Sequence, residues 1–343
     1  MAYRLLTEIP YYCRPFKPRL AWELLKASLT REWRHLALTV DVALGYGCNM
    51  NCRHCSAATL QSAQTRPLDC ADYERLAAQF DRLRVIRVNL TGGEPLLHPD
   101  FDRFLRALRP ERRHIKLQTN GALLDRARLR ALKKAGVNAV SISLDTLDPD
   151  EYAGFRGVDR TCHQTVLRNL EATRDVGLQV STSFVLTHHN LRSDSVRAVI
   201  DYTAKKRLIL LANIATVSGR WQSRPDYLFD DQDRQYLNEL LRRYPHVRTD
   251  HDATGCPAAV RKLYITAYGD VLPCPFIHVS FGNVTREPLD VIQARMRRAY
   301  PFSGSAVCPA AEDKRYFHQW HQAISQATAV PLPHIALNQG VPV

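Results

Sequence analysis

The chain has 343 residues, 45% of them hydrophobic, and a formal net charge of +13 at pH 7. It contains no uncharged apolar run of about 18 residues, which argues against a transmembrane helix. Its first residues, Met1-Ala2-Tyr3-Arg4, lack the apolar stretch of a secretion signal. Nine cysteines in such a chain indicate a reducing compartment, so we expect a cytoplasmic protein whose thiols bind metal rather than form disulfides.

Basic residues outnumber acidic ones, with 47 Lys and Arg against 34 Asp and Glu. This excess is typical of proteins that meet an anionic substrate, a phosphate-bearing partner or an anionic membrane surface. It also arises when an arginine-rich proteome places solvated charges on an ordinary surface, and the sequence leaves both interpretations open. No basic run alternates with aromatic residues as in RNA-binding segments, so we expect no nucleic-acid partner.

Residues 1–35 form an N-terminal extension that precedes the regular pattern of strands and helices. Its apolar residues at helical spacing are Leu20, Trp22, Leu24, Leu25, Leu29 and Trp33. The ordinary interpretation is a helix that packs on the main domain. The other interpretation is an amphipathic helix that makes a peripheral membrane contact.

Residues 36–220 alternate strand-like and helix-like segments. The predicted strands are Leu38–Leu44, Val85–Leu90, Ile115–Thr119, Ala139–Leu144, Val180–Leu186 and Leu208–Val217. The helices predicted between them include Ala71–Leu83, Leu123–Ala135, Thr161–Asp175 and Val196–Lys205. This alternation predicts an α/β fold, a partial (β/α)6 TIM-like barrel of parallel strands with right-handed crossovers. Active residues are then expected on the loops that follow the strands.

The pattern breaks at Ser218–Pro225, where we place a domain boundary. A helix over Asp230–Arg243 and a cysteine-bearing region from Gly255 predict a small α+β domain over residues 221–326. Short strands flank the turn Tyr268-Gly269-Asp270 like a hairpin. Residues 327–343 are rich in proline and are predicted to form an extended tail.

Three cysteines, Cys48, Cys52 and Cys55, follow the first predicted strand with the spacing Cys-x3-Cys-x2-Cys. A short loop can turn three thiolates toward one point, and thiolates are the usual ligands of iron–sulfur clusters. Three ligands on a [4Fe–4S] cluster leave one iron open to a small molecule. The alternative is zinc, which needs a fourth ligand that His54 could supply only from an awkward position between two cysteines.

This loop resembles the cluster loop of the radical S-adenosylmethionine (SAM) superfamily. The resemblance implies an enzyme whose open iron chelates SAM and whose cluster cleaves SAM reductively to a 5′-deoxyadenosyl radical. That radical takes a hydrogen atom from the substrate, and a flavodoxin or ferredoxin supplies the electron. The residue before the last cysteine is often aromatic in the superfamily and is His54 here.

Further motifs at predicted strand ends also resemble the superfamily. The resemblance implies SAM contacts for Gly92, Gly93, Glu94, Asn120, Ser143, Asp145 and Arg156. Glu94, after two glycines, would meet the SAM amino group. Arg156 would pair with the SAM carboxylate, because arginine binds carboxylates with two parallel hydrogen bonds. The ordinary interpretations are a βα turn around Glu94, an Asn-Gly turn at Asn120 and a surface arginine.

A second set of cysteines, Cys256, Cys274 and Cys308, lies in the C-terminal region. The series resembles the auxiliary-cluster domains of radical SAM enzymes, the SPASM domain or its shortened Twitch relative. Because a full SPASM domain has seven cysteines for two clusters, the resemblance implies one auxiliary [4Fe–4S] cluster here. Its fourth iron is left open, bound by a non-cysteine residue or bound by substrate. Zinc is the competing metal at this site.

Two other features carry candidate roles. Cys162 is assigned as the hydrogen donor to a substrate radical, by resemblance to radical epimerases, against the ordinary role of a small buried hydrophobe. His188 and His189 follow the fifth strand and could meet an anionic substrate or relay a proton. The ordinary interpretation is a pair of loop histidines beside a capping Asn190.

The sequence indicates the cofactor more specifically than it indicates the substrate or the type of reaction. We expect hydrogen abstraction from a natural-product or sugar-like small molecule, leading to oxidation, epimerisation or bond formation. Maturation of a ribosomally made peptide and modification of a lipid are the alternatives within the same chemistry. A non-catalytic iron–sulfur or zinc-binding module is the alternative of another class.

Overall fold

Parallel strands that alternate with helices form the main body of the protein. The computed structural model describes residues 17–22, 39–62, 66–249 and 255–338. The six strands of the barrel are β1 (Thr39–Ala43), β2 (Arg87–Thr91), β3 (His114–Thr119), β4 (Val137–Ser143), β5 (Gln179–Leu186) and β6 (Ile209–Ile214). They lie in sequence order and each pairs in parallel with the next. The predicted partial (β/α)6 barrel is therefore confirmed.

Helices cover the outer side of this sheet. They are α1 (Cys70–Arg82), α2 (Phe101–Ala107), α3 (Arg126–Lys134), α4 (Pro149–Arg156), α5 (Thr161–Asp175) and α6 (Asp194–Lys205). Helix α1 begins at a capping box, in which Asp69 and Asp72 each accept a hydrogen bond from the other's backbone N–H. Helix α4 was not predicted, although Asp148 caps it and Pro149 occupies its first turn.

Successive side chains of each strand point to opposite faces of the sheet, one toward the helices and the other toward the barrel interior. Val40, Val42, Val88 and Leu90 belong to the apolar core beneath the helices. Their neighbours therefore point into the barrel, where Asn89 donates to Asp41 at 2.6 Å. The side chains that line the barrel interior here are thus polar, whereas those between the sheet and the helices are apolar.

The C-terminal region extends the same sheet instead of standing apart from it. It contains α7 (Asp231–Arg243), β7 (Val247–Arg248), β8 (Lys262–Ile265), β9 (Val271–Leu272), β10 (Val279–Ser280), α8 (Leu289–Ala299) and α9 (Pro309–Glu312). Strand β7 pairs with β6, and β8 pairs in parallel with β1, so that both edges of the barrel sheet receive a strand. Strands β8 and β9 pair antiparallel around the predicted turn. The sheet therefore continues past residue 220, and the domain boundaries at residues 35, 220 and 326 stay predictions.

The two ends of the described chain also dock on this frame. Lys17 is buried, and its Nζ donates to Arg113 O at 2.7 Å, Gly136 O at 2.8 Å and Asn138 Oδ1 at 2.5 Å. Leu20 is buried and Trp22 is exposed, whereas Leu24, Leu25, Leu29 and Trp33 lie outside the described residues.

The prediction of an extended tail is wrong in part. A π-helical turn (Tyr316–His321) and α10 (Gln322–Gln326) are followed by β11 (Leu332–Pro333), which pairs with β10, and by a 3₁₀ helix over His334–Asn338. His334 stacks on Phe281 with ring centroids 5.0 Å apart, and this packing holds the segment on the C-terminal region. No helix in the described ranges is long and apolar enough to cross a membrane.

Candidate cluster and SAM site

The cysteine loop leaves the carboxyl end of β1 and is held against the end of β2. Gly93 N donates to Gly45 O and Glu94 N donates to Gly47 O, both at 2.9 Å. A Cβ atom on Gly93 would lie 2.3 Å from Gly47 O. The predicted Gly-Gly-Glu motif thus has a structural reason for its second glycine, because the cysteine loop approaches its backbone too closely for a side chain.

Glu94 is buried, and protein groups surround its carboxylate. Oε1 accepts from Thr119 Oγ1 at 2.8 Å and from Leu96 N at 3.2 Å, while Oε2 accepts from Asn120 N at 2.8 Å. Burial raises the pKa of Glu94, and these donors oppose the rise. Glu94 therefore joins the ends of β2 and β3.

Asn120 extends the same network to the cysteine loop. Its Nδ2 donates to Asn49 Oδ1 at 2.7 Å, and its Oδ1 accepts from Ala122 N at 3.0 Å. Asn49 directly follows Cys48, the most exposed of the three loop cysteines. The motifs after β2 and β3 are thus brought to the cluster loop as predicted, through protein contacts whose roles toward SAM stay predictions.

Ser143 and Asp145 lie at the end of β4 in different surroundings. Ser143 is half-buried on the side of the barrel interior, whereas Asp145 is buried. Asp145 Oδ1 accepts from Val185 N at 3.0 Å, and its Oδ2 accepts from Arg156 Nε at 2.7 Å. Ser143 is therefore placed where a ligand could reach it, and Asp145 is occupied by β5 and by Arg156.

Arg156 differs from the sequence-based expectation. The side chain is buried, and its Nε and Nη2 donate to Asp145. Its Nη1 lies 3.6 Å from Cys52 Sγ and donates to that sulfur. The guanidinium fork expected to hold the SAM carboxylate is thus bound to a carboxylate of the protein, because Asp145 lies within reach on the neighbouring strand end.

Gly219 and Arg220 also hold the cysteine loop in place, and the sequence pattern did not predict these contacts. Gly219 has φ +57°, and a Cβ atom there would lie 2.2 Å from Cys55 O. Arg220 N donates to Cys55 O at 3.1 Å, and Arg220 Nη1 donates to Cys52 O at 3.1 Å. The sequence pattern predicts a domain boundary at these residues. The signal that could have found them was their position directly after the sixth barrel strand.

His54 packs beside the cysteines and against aromatic rings. It stacks on Phe155 at 4.6 Å between centroids, and Trp221 lies at 5.8 Å. Burial, followed by the charge of Arg156, lowers the pKa of His54 to about 4. The imidazole is therefore neutral near pH 7, and its ring stacks on Phe155.

The second set of cysteines also comes together. Cys256, Cys274 and Cys308 line one cavity of about 50 Å³, which the end of β6 also borders. Burial, and then the neighbouring Cys256, raises the pKa of Cys274 to about 12 and that of Cys308 well above its usual range. Crowded buried thiols of this kind fit a group that takes up thiolates, such as an iron–sulfur cluster.

A buried tyrosine adds to this fit. Tyr300 is 3% exposed, and its hydroxyl has no hydrogen-bond partner among the described residues. The three thiols raise the pKa of Tyr300 further after burial, so its ring lies within electrostatic reach of all of them. A buried hydroxyl without a partner beside three thiols is the arrangement expected around a group that the side chains enclose.

The remaining candidates lie elsewhere. Cys162 is half-buried in the first turn of α5, which packs on β4 and β5, and its role as a hydrogen donor stays a prediction. His188 Nδ1 lies 2.6 Å from Asp233 Oδ2, and Asp233 raises the pKa of His188. Both imidazoles are about half exposed. Cys70 lies in α1, and Cys13 lies outside the described residues.

Comparison with known proteins agrees with this geometry. Residues 42–202 match the Radical SAM superfamily, and residues 256–314 match SPASM, an iron–sulfur cluster-binding domain. A probable GTP 3′,8-cyclase of Pyrobaculum aerophilum is 35% identical over 158 residues, 46% of this chain and 51% of that protein. A GTP 3′,8-cyclase of Chlorobaculum tepidum is 32% identical over 172 residues, 49% of this chain and 51% of that protein. The chain thus spans about half the length of these relatives.

Solved structures share the fold at low sequence identity. Streptococcus suis SuiB bound to the precursor peptide SuiA gives a TM-score of 0.61 at 18% identity, covering 80% of this chain and 69% of that one. The protein anSMEcpe with bound AdoMet and a Cp18Cys peptide gives 0.59 at 16% identity, covering 88% and 94%. The two matched domains, the barrel and the two sets of cysteines together show that this chain belongs to the radical SAM superfamily and carries a SPASM-type auxiliary cluster domain.

Proposed function

We propose that this chain reductively cleaves SAM and removes a hydrogen atom from a polar small molecule. Cys48, Cys52 and Cys55 would hold the [4Fe–4S] cluster that, when bound, supplies the electron and the open iron for SAM. The observation that carries the proposal is the convergence of the segments after β2, β3, β4 and β6 on the cysteine loop that follows β1. Four separate chain segments would not converge on a loop that served only as a connection.

Two parts of the site are proposed to serve SAM directly. The backbone of Gly92 and Gly93 lies against the cysteine loop, so a ligand on an open iron would lie beside it. Ser143 is half-buried at the end of β4, and we infer that its hydroxyl contacts the bound SAM. Glu94 and Asn120 hold this backbone in place through Thr119 and Asn49.

The second cysteine set would hold one auxiliary cluster. Cys256, Cys274 and Cys308 line their cavity together with Lys262 and Asn213, residues of β8 and β6. Strands β6 and β8 lie near opposite edges of the sheet, so the cavity that both strands line lies between these two edges. We infer that the auxiliary cluster serves electron transfer or holds the substrate there.

The barrel interior supports a polar substrate rather than a lipid. Asp41 accepts from Asn89 at 2.6 Å and lies 3.3 Å from Lys262 Nζ. Lys116 lies on the same inward side of β3, between Ile115 and Leu117 of the outer core. An interior with amide, carboxylate and ammonium groups recognises hydroxyls and anionic groups through hydrogen bonds. A sugar-like or phosphorylated molecule fits this chemistry.

A nucleotide is the second candidate substrate, because two relatives over 30% identical are named GTP 3′,8-cyclases. Peptide maturation is the third, since SuiB and anSMEcpe were solved with peptides. An anaerobically reconstituted protein, supplied with reductant and SAM, would be assayed for 5′-deoxyadenosine alone, with GTP and with model peptides. We expect SAM cleavage in every case, and the substrate class that accelerates it identifies the reaction. No 5′-deoxyadenosine under any condition would contradict the proposed function.

A further inference from the structure

Arg156 links the cluster loop to the barrel wall through three separate atoms. Its Nε donates to Asp145 Oδ2 at 2.7 Å, its Nη2 donates to the same carboxylate, and its Nη1 donates to Cys52 Sγ at 3.6 Å. The guanidinium is planar and rigid, so the position of Asp145 sets the direction in which Nη1 points. Asp145 thereby aims one N–H group of Arg156 at the sulfur of a cluster ligand.

Asp145 is itself fixed to the sheet. Its Oδ1 accepts from Val185 N on β5 at 3.0 Å, and the side chains of Asp145 and Arg156 are 7% and 6% exposed. Arginine keeps its charge across the pH range in which proteins are stable. The charged pair is also shielded from solvent, because both side chains are buried.

The backbone around Arg156 contacts the same part of the loop. Asn51 N donates to Arg156 O at 2.9 Å, and Arg53 N donates to Phe155 O at 3.0 Å. A Cβ atom on Gly157, whose φ is +63°, would lie 2.7 Å from Asn51 O. The last carbonyls of α4, which lack partners within the helix, thus bind the residues on both sides of Cys52.

A charged donor at a ligand sulfur changes the energy of the cluster. The reduction potential of an iron–sulfur cluster depends on nearby charge, hydrogen bonds to sulfur and exposure to solvent. Reduction adds one negative charge, which a buried guanidinium stabilises more than it stabilises the oxidised state. The carboxylate of Asp145 acts in the opposite direction, from farther away than Arg156.

We propose that Arg156 is a positioning residue that, held by Asp145, fixes Cys52 and raises the reduction potential of the SAM-binding cluster. The inference rests on the proposed function of the cysteine loop. It gives Asp145 and Arg156 a role toward the cluster in place of the expected contact with SAM. Three of the five N–H groups of the Arg156 guanidinium donate to protein atoms, two to Asp145 and one to Cys52.

The test is a redox titration of the reconstituted holoenzyme followed by electron paramagnetic resonance. Arg156→Gln removes the charge, and we expect about a tenfold lower ratio of reduced to oxidised cluster at a fixed potential, equal to about 59 mV for a one-electron couple. Asp145→Asn removes the carboxylate charge but keeps an amide oxygen that can accept from Arg156, so the arginine stays in place and we expect the potential to shift in the opposite direction, upward. The auxiliary cluster is the internal control, and its potential should not move in either variant.

Two further variants separate electrostatics from folding. Arg160→Gln removes an exposed arginine four residues away, which pairs with Asp150 at 3.3 Å, and should leave both potentials unchanged. Arg156→Lys keeps the charge but cannot reach Asp145 and Cys52 together, so its potential should fall between the wild-type and Arg156→Gln values. If Arg156→Gln does not retain iron, Asp145→Asn and Arg156→Lys still give shifts to compare.

SAM affinity distinguishes this role from a direct contact. We expect the Kd for SAM, measured with the oxidised cluster, to change less than threefold in Arg156→Gln. A Kd raised tenfold or more with an unchanged potential would show that Arg156 binds SAM and would overturn the inference. Shifts of the same sign in Arg156→Gln and Asp145→Asn would also overturn it. Failure of wild-type SAM cleavage, with these shifts intact, would contradict only the proposed function.

Discussion

The α-carbon of Gly219 faces the carbonyl of Cys55 so closely that a Cβ atom would lie 2.2 Å from the oxygen. Gly219 also has φ +57°, a conformation in which L side chains are strained. The last cysteine of the cluster loop is therefore positioned by a residue 164 places later in the chain, a separation that follows from the two residue numbers.

Gly219→Ala should displace the cysteine loop and remove the SAM-binding cluster. Each four-iron cluster contributes four irons, so we expect iron to fall from about eight to about four per chain. The matched control is Gly304→Ala, because Gly304 has φ +71° but nothing within 4 Å of its added Cβ. Iron assays on both reconstituted variants check this. Full iron and wild-type 5′-deoxyadenosine formation in Gly219→Ala would show that the loop does not need this contact.

Glu94→Gln should destabilise the protein. The buried carboxylate accepts from Thr119 Oγ1, Asn120 N and Leu96 N, and an amide would turn a donor toward one of these donors. An unsatisfied buried group costs about 1–3 kcal/mol, so we expect a loss of that size in the free energy of unfolding. Denaturant unfolding of the holoenzyme measures it. Glu239→Gln, on the exposed side of α7, is the control.

SAM affinity of the same variants separates structure from ligand binding. If Glu94→Gln unfolds like Glu239→Gln but binds SAM at least tenfold more weakly, the carboxylate acts on the ligand as the resemblance implied. Loss of stability with a proportionate loss of cluster would instead agree with the contacts in the structure.

Tyr300→Phe should weaken the auxiliary cluster. The Tyr300 hydroxyl is buried without a partner in the part of the chain that the structure describes, a situation that costs about 1–3 kcal/mol unless a bound group takes the hydrogen bond. We expect a chelator to remove about four irons faster from this variant than from the wild type. Tyr202→Phe is the control, because the Tyr202 hydroxyl on α6 donates to Glu171 at 3.4 Å and Tyr202 does not line the cavity of the three cysteines. A more stable Tyr300→Phe protein with unchanged iron loss would contradict this.

His114 should make the barrel less stable in acid. Burial, and then the charge of Arg87, lowers the pKa of His114 well below 6.5, its ordinary value. Below pH 6.5 the unfolded chain therefore binds a proton that the folded chain does not, and stability falls as the pH falls. For one such histidine the loss approaches about 1.4 kcal/mol per pH unit until the folded-state pKa is reached.

Denaturant unfolding at pH 7.5 and 5.5 measures this dependence. His114→Gln keeps a donor near the position of Nε2, which lies 3.5 Å from Gln179 Oε1, and cannot be charged. We expect the wild type to lose about 1 kcal/mol more than the variant between the two pH values. Equal losses in the two proteins would show that His114 does not titrate on unfolding.

Local patterns predicted most of the barrel. The outward residues Val40, Val88 and Ile142 alternate with inward polar ones, and this alternation is visible in the sequence. The pairing of β8 with β1 was not visible, because Thr39 and Lys262 become neighbours only through the folded sheet. The same reason explains why Ser218–Pro225 was interpreted as a boundary although Gly219 supports Cys55.

At the site too, the sequence predicted which residues take part but did not predict which residues they contact. The cysteines were found from their spacing and Gly93 and Glu94 from the resemblance to the superfamily motif, and the structure brings the two loops together. The partners of Arg156 were not found, because the sequence placed both Asp145 and Arg156 near the ligand without showing that they bind each other. The folded structure decides whether a charged side chain binds a ligand or another protein group. The spacing of residues along the chain does not show which of the two it binds.

Cys48, Cys52 and Cys55 are proposed to hold the cluster that cleaves SAM. The most direct measurement is 5′-deoxyadenosine formed anaerobically from SAM and a reductant by the wild type, by Cys52→Ala and by Cys70→Ala, whose cysteine lies in α1 outside the loop. We predict turnover by the wild type and by Cys70→Ala, and none by Cys52→Ala. Continued 5′-deoxyadenosine formation by Cys52→Ala, at the wild-type rate, would contradict the account.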